Sequence, residues 1–492
     1  MSRFAESAVT SVFSKIQHGH LTVVTSGQTY HFPSQDTPLV NDLPDLHAEL
    51  RVVSDTFWVR LCTMNDLGFS EAFMYGDVEC DDLIPVFLIF IHNKENMQDL
   101  DSRLSWLFTL PQRLTSYRFL NSLSNSRSNI SAHYDLSNAM FSAFLSSDMT
   151  YSCGIYSDLD GDITASYSPF PDQGKFPLSP IVESAPSIEA VLSPATSNAT
   201  TAVGSRETSP VRSDDQLHVA QLRKLQHIVI KARIMPGQRV LEIGSGWGSL
   251  TMHIVEKLPK TQVDTITLSA HQHAWVTRLI EEKGLKERVR VHLMDYREIP
   301  EEWEGMFDRV VSVEMVEAVG EENLEDYWRA IDKVLKKKGG AGVIQGITIS
   351  EARFAAYAKQ VDFIRKWFLV MQIFPGGLLP TLTGLITTMT SATSGRLLVD
   401  SVCNIGPHYA RTLRDWRSRF LANFSQVEEA LRKDHPGVFD GEKGAYELAV
   451  FKKKWIYYFC YSEVGFTTHL LNDHIIAFTR EGNDGMGCDV FE

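Results

Sequence analysis

The feature that most constrains the fold is Val240-Leu241-Glu242-Ile243-Gly244-Ser245-Gly246-Trp247-Gly248, an apolar strand that ends in a carboxylate and runs into a glycine-rich turn. Glycines at 244, 246 and 248 let the backbone turn sharply and approach a ligand closely, and the helix that follows offers free N–H groups at its start. Such a turn suits a nucleotide-like cofactor. Its spacing is G-x-G-x-G, whereas dinucleotide folds use G-x-G-x-x-G with an acidic residue about 20 positions further on. Glu242 instead stands directly before the turn, where it would repel a pyrophosphate and could hold the ammonium end of S-adenosylmethionine. The competing reading is a plain strand-to-helix turn, so the surroundings decide.

Those surroundings alternate strand with helix. Residues 263–268 (VDTITL) read as a second buried strand and 270–283 as a helix with apolar residues at helical spacing. Segments 289–294, 307–313 and 341–349 continue the strands, with a helical stretch over 321–337. This order predicts an α/β fold, a parallel doubly wound sheet whose ligands lie beyond the carboxyl ends of the strands. Glu242, Thr267, Asp295 and residues 314–317 fall at such ends. The domain is expected over 216–480, with 474–480 (HIIAFTR) as an antiparallel edge strand and 481–492 as a tail.

Composition narrows the partners. In 492 residues, 43% hydrophobic and 22% charged, there is room for two or more packed domains. The net charge of −14 argues against nucleic acid, which needs a basic face. Cysteines 62, 80, 153, 403, 460 and 488 form no C-x-x-C pair, so a reducing compartment is expected and no metal site. Lys452-Lys453-Lys454 and Arg411, Arg414, Arg417 and Arg419 could touch anionic lipid, or simply form solvated helix faces. The first twenty residues carry Glu6 and no apolar stretch, which does not match a secretory signal. The apolar run 83–91 is too short to span a bilayer and reads as core. Residues 367–395 contain no charge, but Pro375 and Pro380 break them, which predicts a buried or membrane-facing wall in place of a span. From about 160 to 215 the chain is rich in Ser, Pro and Thr, the composition of a disordered insertion that should carry no catalysis.

Two further segments precede that insertion: Ser131-Ala-His133-Tyr134-Asp135-Leu136-Ser137-Asn138 and Met149-Thr150-Tyr151-Ser152-Cys153-Gly154. Together with the glycine loop they resemble the cyclopropane-fatty-acyl-phospholipid synthase family. The resemblance extends to Thr267-Leu-Ser-x-x-Gln272, Asp295-Tyr296-Arg297, the segment 307–317, the segment 374–380 and Gly406-Pro407-His408-Tyr409, in order over most of residues 120–480. It implies a class I SAM-dependent methyltransferase, Rossmann-like, with a mostly parallel seven-stranded sheet and a smaller N-terminal α+β domain. The organisation it suggests is a lipid-engaging domain over 1–125, a lid over 126–159 shaped in part by His133, the insertion over 160–215 and the methyltransferase domain over 216–480.

The implied reaction transfers a methyl from S-adenosylmethionine to a cis double bond of a phospholipid acyl chain, after which proton loss closes a cyclopropane ring. An alkene is a poor nucleophile, so the site needs an in-line methyl, a dry pocket and aromatic faces for cationic charge. For the cofactor the resemblance implies Tyr151 and Ser152 over the methionine end, Gly244, Gly246 and Gly248 in the loop, Thr267 and Gln272 at the ribose, and Asp295 and Tyr296 at the adenine. For the proton it implies a bound bicarbonate held by Glu317, Tyr409 and the backbone near Cys153 and Ile347. Gln345 stands where the family has a histidine; its amide can donate a hydrogen bond but brings no charge. Glu314 is an added acid, either a structural partner or part of the chemistry. Expected partners are an unsaturated phospholipid in a membrane surface and a second copy in a homodimer; the expected location is cytoplasmic and peripheral to a membrane. Rival outcomes are methylation of a lipid alkene without ring closure, N-methylation of a small amine, or lipid binding without catalysis.

Overall fold

The computed structural model describes residues 2–34, 45–98, 138–162, 215–369 and 377–487. His133 and its motif up to Ser137, the interior of the insertion and Phe374-Pro375-Gly376 lie outside the described residues. Strands β1 (His20–Val24), β2 (Thr29–Phe32), β3 (His47–Val52) and β4 (Val78–Glu79) form a small sheet in the order β2-β1-β3-β4. The apolar run near residue 85 is a helix, Leu83–His92, in which Leu83 to Ile89 are all buried. Pro85 is tolerated there because it lies in the first turn, where its missing N–H has no partner to lose.

The second sheet contains β5 (Arg239–Ile243), β6 (Gln262–Thr267), β7 (Val289–Leu293), β8 (Arg309–Val313), β9 (Ala341–Ile349), β10 (Leu397–Asn404) and β11 (Leu471–Arg480). Its order is β10-β11-β9-β8-β5-β6-β7. β5 to β9 pair in parallel with their neighbours, and β11 is antiparallel to both β9 and β10. The antiparallel sense of the last strand is as expected, but it is not an edge. β10 takes that place, and its alternation of inward and exposed residues, Leu397 buried and Leu398 exposed, suits a strand covered on one face. A half-exposed strand has a weak hydrophobic signal, which is why it was not read from the sequence. β11 instead places Ile475 to Phe478 in the core between its two neighbours.

The two sheets share one packed body. Helix Gly441–Thr467 is buried along most of its length, and its Tyr457 meets Phe87 of the N-terminal part edge-on, with ring centroids 5.2 Å apart. The uncharged run beginning at Trp367 starts on the same seam, where Lys366 pairs with buried Glu71, itself 2.7 Å from Arg60. The run then includes helix Leu382–Ala392, which buries Leu385 and Met389. No helix among the described residues is long and apolar enough to cross a membrane.

The basic groups make contacts within the fold in place of forming a solvated face. Arg411, Arg414 and Arg419 lie on helix Gly406–Ala422 and bind the two ends of the insertion. Arg411 donates to Asp162 (2.7 Å) through one nitrogen and to Gln216 (2.8 Å) through another, while Arg414 donates to Asp162 at 2.9 Å and Arg419 to Asp215. Arg417 lies 3.4 Å from buried Glu463. Lys454 is buried, and Lys452 and Lys453 lie over the rings of Phe424 and Phe73. One guanidinium thus holds both Asp162 and Gln216, so the insertion leaves and re-enters the fold at one place. Loop-closure entropy grows slowly with length, so the insertion is cheap to carry. We predict that replacing 163–214 by a short Gly/Ser linker leaves the melting temperature and SAM affinity unchanged. A drop of several degrees in a thermal melt would show that the insertion supports the fold.

Candidate active site

Four neighbouring parallel strands end at one edge of the large sheet, and the predicted cofactor residues follow them. After β5, Gly244, Gly246 and Gly248 have φ of +98°, +48° and +89°. A Cβ on Gly244 would lie 3.2 Å from Met315, and one on Gly248 3.2 Å from Val276, whereas Gly246 borders open space. Left-handed backbone and close neighbours together require glycine at 244 and 248. Gly248 then caps helix Ser249–Lys257. Among the described residues no backbone carbonyl takes the N–H groups of Gly246 or Trp247. Glu242 is buried beneath the loop, where one of its oxygens accepts from Thr251 (2.5 Å) and Thr265 (2.6 Å). Burial pushes its carboxyl up to about 7, with the two hydroxyls opposing the rise.

At the end of β6, Thr267 donates to Gln272 at 2.8 Å and accepts from the Ser269 N–H. After β7, Asp295 binds Arg297 through both oxygens, which holds its carboxyl below the usual range, and Tyr296 is buried edge-on to Tyr327. Between these groups Leu268 is 72% exposed and Leu293 is 53% exposed. Two exposed leucines at the ends of paired strands form an apolar lip of the kind an adenine ring would cover. Both fall within segments read as strands, 263–268 and 289–294, the first as buried; their exposure corrects that reading, since β6 ends at Thr267.

The segment around residues 138–153 lies across this edge. Trp247 donates to Asn138 at 2.9 Å, and Thr150 donates to Ser249 at 2.9 Å, so the segment is tied to the loop and its helix. Tyr151 stacks on Trp416 with centroids 5.0 Å apart and shares a 3.0 Å hydrogen bond with the hydroxyl of Tyr458. Ser152 accepts from Lys224 at 2.7 Å, and its carbonyl accepts from Gln221 at 2.7 Å. The residues at this edge fit S-adenosylmethionine: open backbone at Gly246, an apolar lip, and polar groups at the ends of β5, β6 and β7.

Beyond β8 lies a second group of side chains. Glu314 accepts the Cys153 N–H (2.8 Å) and the Gln345 amide (2.9 Å) on one oxygen, and the Tyr409 hydroxyl (2.7 Å) on the other. Glu317 accepts the Ile347 N–H at 2.5 Å. Gln345 also donates to Asp473 on β11 at 2.8 Å. The residues assigned to proton removal, Cys153, Gln345, Ile347, Tyr409 and Glu317, are therefore brought together, but around carboxylates of the chain. Burial raises the carboxyl of Glu317 to about 8, helped by the charge of Glu314. Asp473 is driven well above the carboxylate range by burial and by the same two charges. The Cys153 thiol is pushed far up by burial, so only its backbone acts here. Lys224 supplies the balancing cation; burial pulls its ammonium down and Glu314 opposes that.

A bicarbonate ion does not fit this arrangement. The donors expected to hold it, at Cys153, Ile347, Tyr409 and Gln345, already serve Glu314 and Glu317. Within the acid cluster itself the buried side-chain atoms left without a partner are Glu317 Oε2, Gln345 Oε1 and Asp473 Oδ1, all oxygens. An added anion would meet the Gln345 carbonyl oxygen and the charge of Glu314. Lys224 and Asp473 escaped the sequence reading. Lys224 was findable, since it stands with Gln221 on the otherwise apolar stripe of helix Gln216–Lys231, whereas Asp473 opens a strand and carries no such mark. Among the described residues, one group of metal-type ligands meets, His20, Asp45 and His47, on the small sheet and apart from this site.

Fold and glycine edge together define a class I SAM-dependent methyltransferase. The sequence model of the mycolic acid cyclopropane synthetase family matches residues 121–168 and 209–472, and the chain belongs to that family. It is 30% identical over 416 residues to the tuberculostearic acid methyltransferase UfaA1 of Mycobacterium tuberculosis, covering 85% of this chain and 79% of the relative. It is 28% identical over 384 residues to the cyclopropane-fatty-acyl-phospholipid synthase of Escherichia coli, covering 78% and 79%. Among solved structures, coclaurine N-methyltransferase shares the fold with a TM-score of 0.51 at 17% identity, over 84% of this chain and 99% of that one.

A side chain at 244 tests the cofactor edge. Left-handed strain of about 1–3 kcal/mol and the contact with Met315 should weaken SAM binding about tenfold or more in Gly244→Val, measured by calorimetry. Wild-type affinity in that variant would remove the turn from the binding site.

Proposed function

We propose that the enzyme transfers a methyl group from S-adenosylmethionine to the cis double bond of an unsaturated phospholipid acyl chain at a membrane surface, and that proton loss from the new methyl closes a cyclopropane ring. The observation that carries this reading is the juxtaposition of a cofactor edge with an acid cluster walled by aromatic rings. Tyr409 stacks on Phe466 with centroids 4.4 Å apart and stands edge-on to Trp416, which in turn stacks on Tyr151. Ring faces favour a developing carbocation by about 0.5–2 kcal/mol each, and the apolar walls exclude the water that would capture it.

Bound S-adenosylmethionine supplies the electrophilic methyl. Gly244, Gly246 and Gly248, with Thr267, Gln272, Asp295 and Tyr296, would hold its nucleoside end. Glu242, Tyr151 and Ser152 would hold the methionine end. An acid of the cluster beyond β8 would receive the proton. The aromatic seam between the N-terminal helices and helix Gly441–Thr467, with the uncharged run from Trp367, favours a long acyl chain over a small amine.

A second reading ends without a ring, with a different proton lost and a methyl-branched chain formed. It is favoured by the similarity to a relative named as a tuberculostearic acid methyltransferase. Incubation with methyl-labelled SAM and vesicles of a cis-unsaturated phospholipid, followed by proton NMR, separates the two. Upfield cyclopropane resonances are expected; branched or vinylic methyl signals would establish the second reading, and unmodified lipid would sink both. Glu317→Gln should lose turnover while still binding SAM by calorimetry. Full turnover in that variant would take Glu317 out of the mechanism.

A further inference from the structure

Glu314 differs from the other acids of its cluster in three ways. Its backbone has φ +48°, a left-handed conformation that costs a non-glycine residue about 1–3 kcal/mol and persists only where the surroundings enforce it. Its carboxylate gathers three donors from three separate parts of the chain, Cys153, Gln345 and Tyr409. It is also only half-buried, whereas Glu317, Gln345 and Asp473 are buried behind it. The strained backbone sets one oxygen on the hydroxyl of Tyr409, whose ring contacts Trp416 and Phe466.

We propose that Glu314 is the proton acceptor of the reaction, a carboxylate built into the chain that makes a dissolved bicarbonate unnecessary. The inference rests on the lipid-alkene reading above. In the step, the π electrons of the alkene form a bond to the methyl carbon as its bond to sulfur breaks. The sulfur keeps that electron pair, and the other alkene carbon is left cationic. A C–H bond of the new methyl then breaks, its electrons close the ring onto the cation, and the proton passes to a Glu314 oxygen. The acid so formed is neutral, and it returns the proton to solvent between turnovers. No oxidant or added base is needed.

The neighbours suit this duty. The Tyr409 hydroxyl, the Cys153 N–H and the Gln345 amide orient the carboxylate; burial raises its affinity for a proton, and these donors with Lys224 oppose the rise, which suits an acceptor that must both take and release one. Asp473 is held protonated by the same crowding and so does not compete for a second negative charge. Gln345 is apt at this place because one amide nitrogen can serve both Glu314 and Asp473, and it brings no titrating group of its own. Glu317, with one oxygen on the Ile347 N–H and the other enclosed, is a positioning residue for β9 and the loop after β8.

The test measures methyl incorporation from labelled SAM into vesicles of a cis-monounsaturated phosphatidylcholine, in buffer stripped of carbon dioxide and in buffer with added bicarbonate. Wild-type rates are expected to be equal in the two. Glu314→Gln should lose turnover by about 100-fold or more, the ordinary weight of a positioned base, with SAM affinity within threefold of wild type. Glu314→Gly, which opens the space, should recover activity with rising formate or bicarbonate. A wild-type rate that depends on bicarbonate, or a Glu314→Gln variant that turns over normally, overturns the proposal while the function stands. Wild-type protein that binds SAM but labels no lipid under any condition fails the functional reading, and the proposal falls with it.

Discussion

The site depends on one acid at the end of β8, half withdrawn from water. Glu314 can sit there only because a backbone N–H at Cys153, an amide at Gln345 and a hydroxyl at Tyr409 converge on it. A carboxylate taken out of water is costly unless its lone pairs are filled, and removing one partner of such a group exposes the whole cost. The segment before the insertion, the interior strand β9 and helix Gly406–Ala422 are therefore held in one register by one acid. The same contacts bring the Tyr151-Ser152-Cys153 segment against the glycine edge, which couples the acid cluster to the cofactor side.

Around that charge the enclosure is mostly aromatic. Tyr151, Trp416, Tyr409 and Phe466 form a continuous series of ring contacts. Tyr458 joins it through its hydrogen bond to Tyr151 and stacks on Phe368 at the start of the uncharged run. On a neighbouring face of helix Gly441–Thr467, Tyr457 and Tyr461 face Phe87 of the N-terminal part. A single long helix thus lends one face to the site and another to the N-terminal core, so the two sheets act as one body. The acids of this region show what a low-dielectric wall does: Glu242, Glu317 and Asp473 all have carboxyls raised by burial, and protons are shared where charges crowd.

The basic residues illustrate a different use of charge. Arg411, Arg414 and Arg419 read from sequence as a surface stripe, yet they anchor Asp162 and Asp215 at the boundaries of the insertion. Their ion pairs are partly buried and share carboxylates, which makes them stronger than isolated surface pairs. The long Ser/Pro-rich stretch is thereby accommodated without disturbing the helix that carries Tyr409.

Much of this was legible in the chain itself. Buried parallel strands are apolar along their length, so β5, β6, β8 and β9 announce themselves, and left-handed turns need glycine, so the loop at 244–248 does too. The resemblance placed Tyr409, Cys153, Ile347 and Glu317 in one group. What only the tertiary structure decided is who binds whom within it. Cys153 and Glu314 are 161 positions apart and Gln345 and Asp473 are 128 apart, and no local periodicity reports such a pairing. The order of the last strands and the donor set of Glu314 follow from packing between distant segments. Residue patterns determined that the chain would build a cofactor edge with an acid-rich pocket beyond it; the folded geometry decided that the pocket's donors go to the chain's own carboxylates, because burial leaves an unpartnered charge no cheaper alternative.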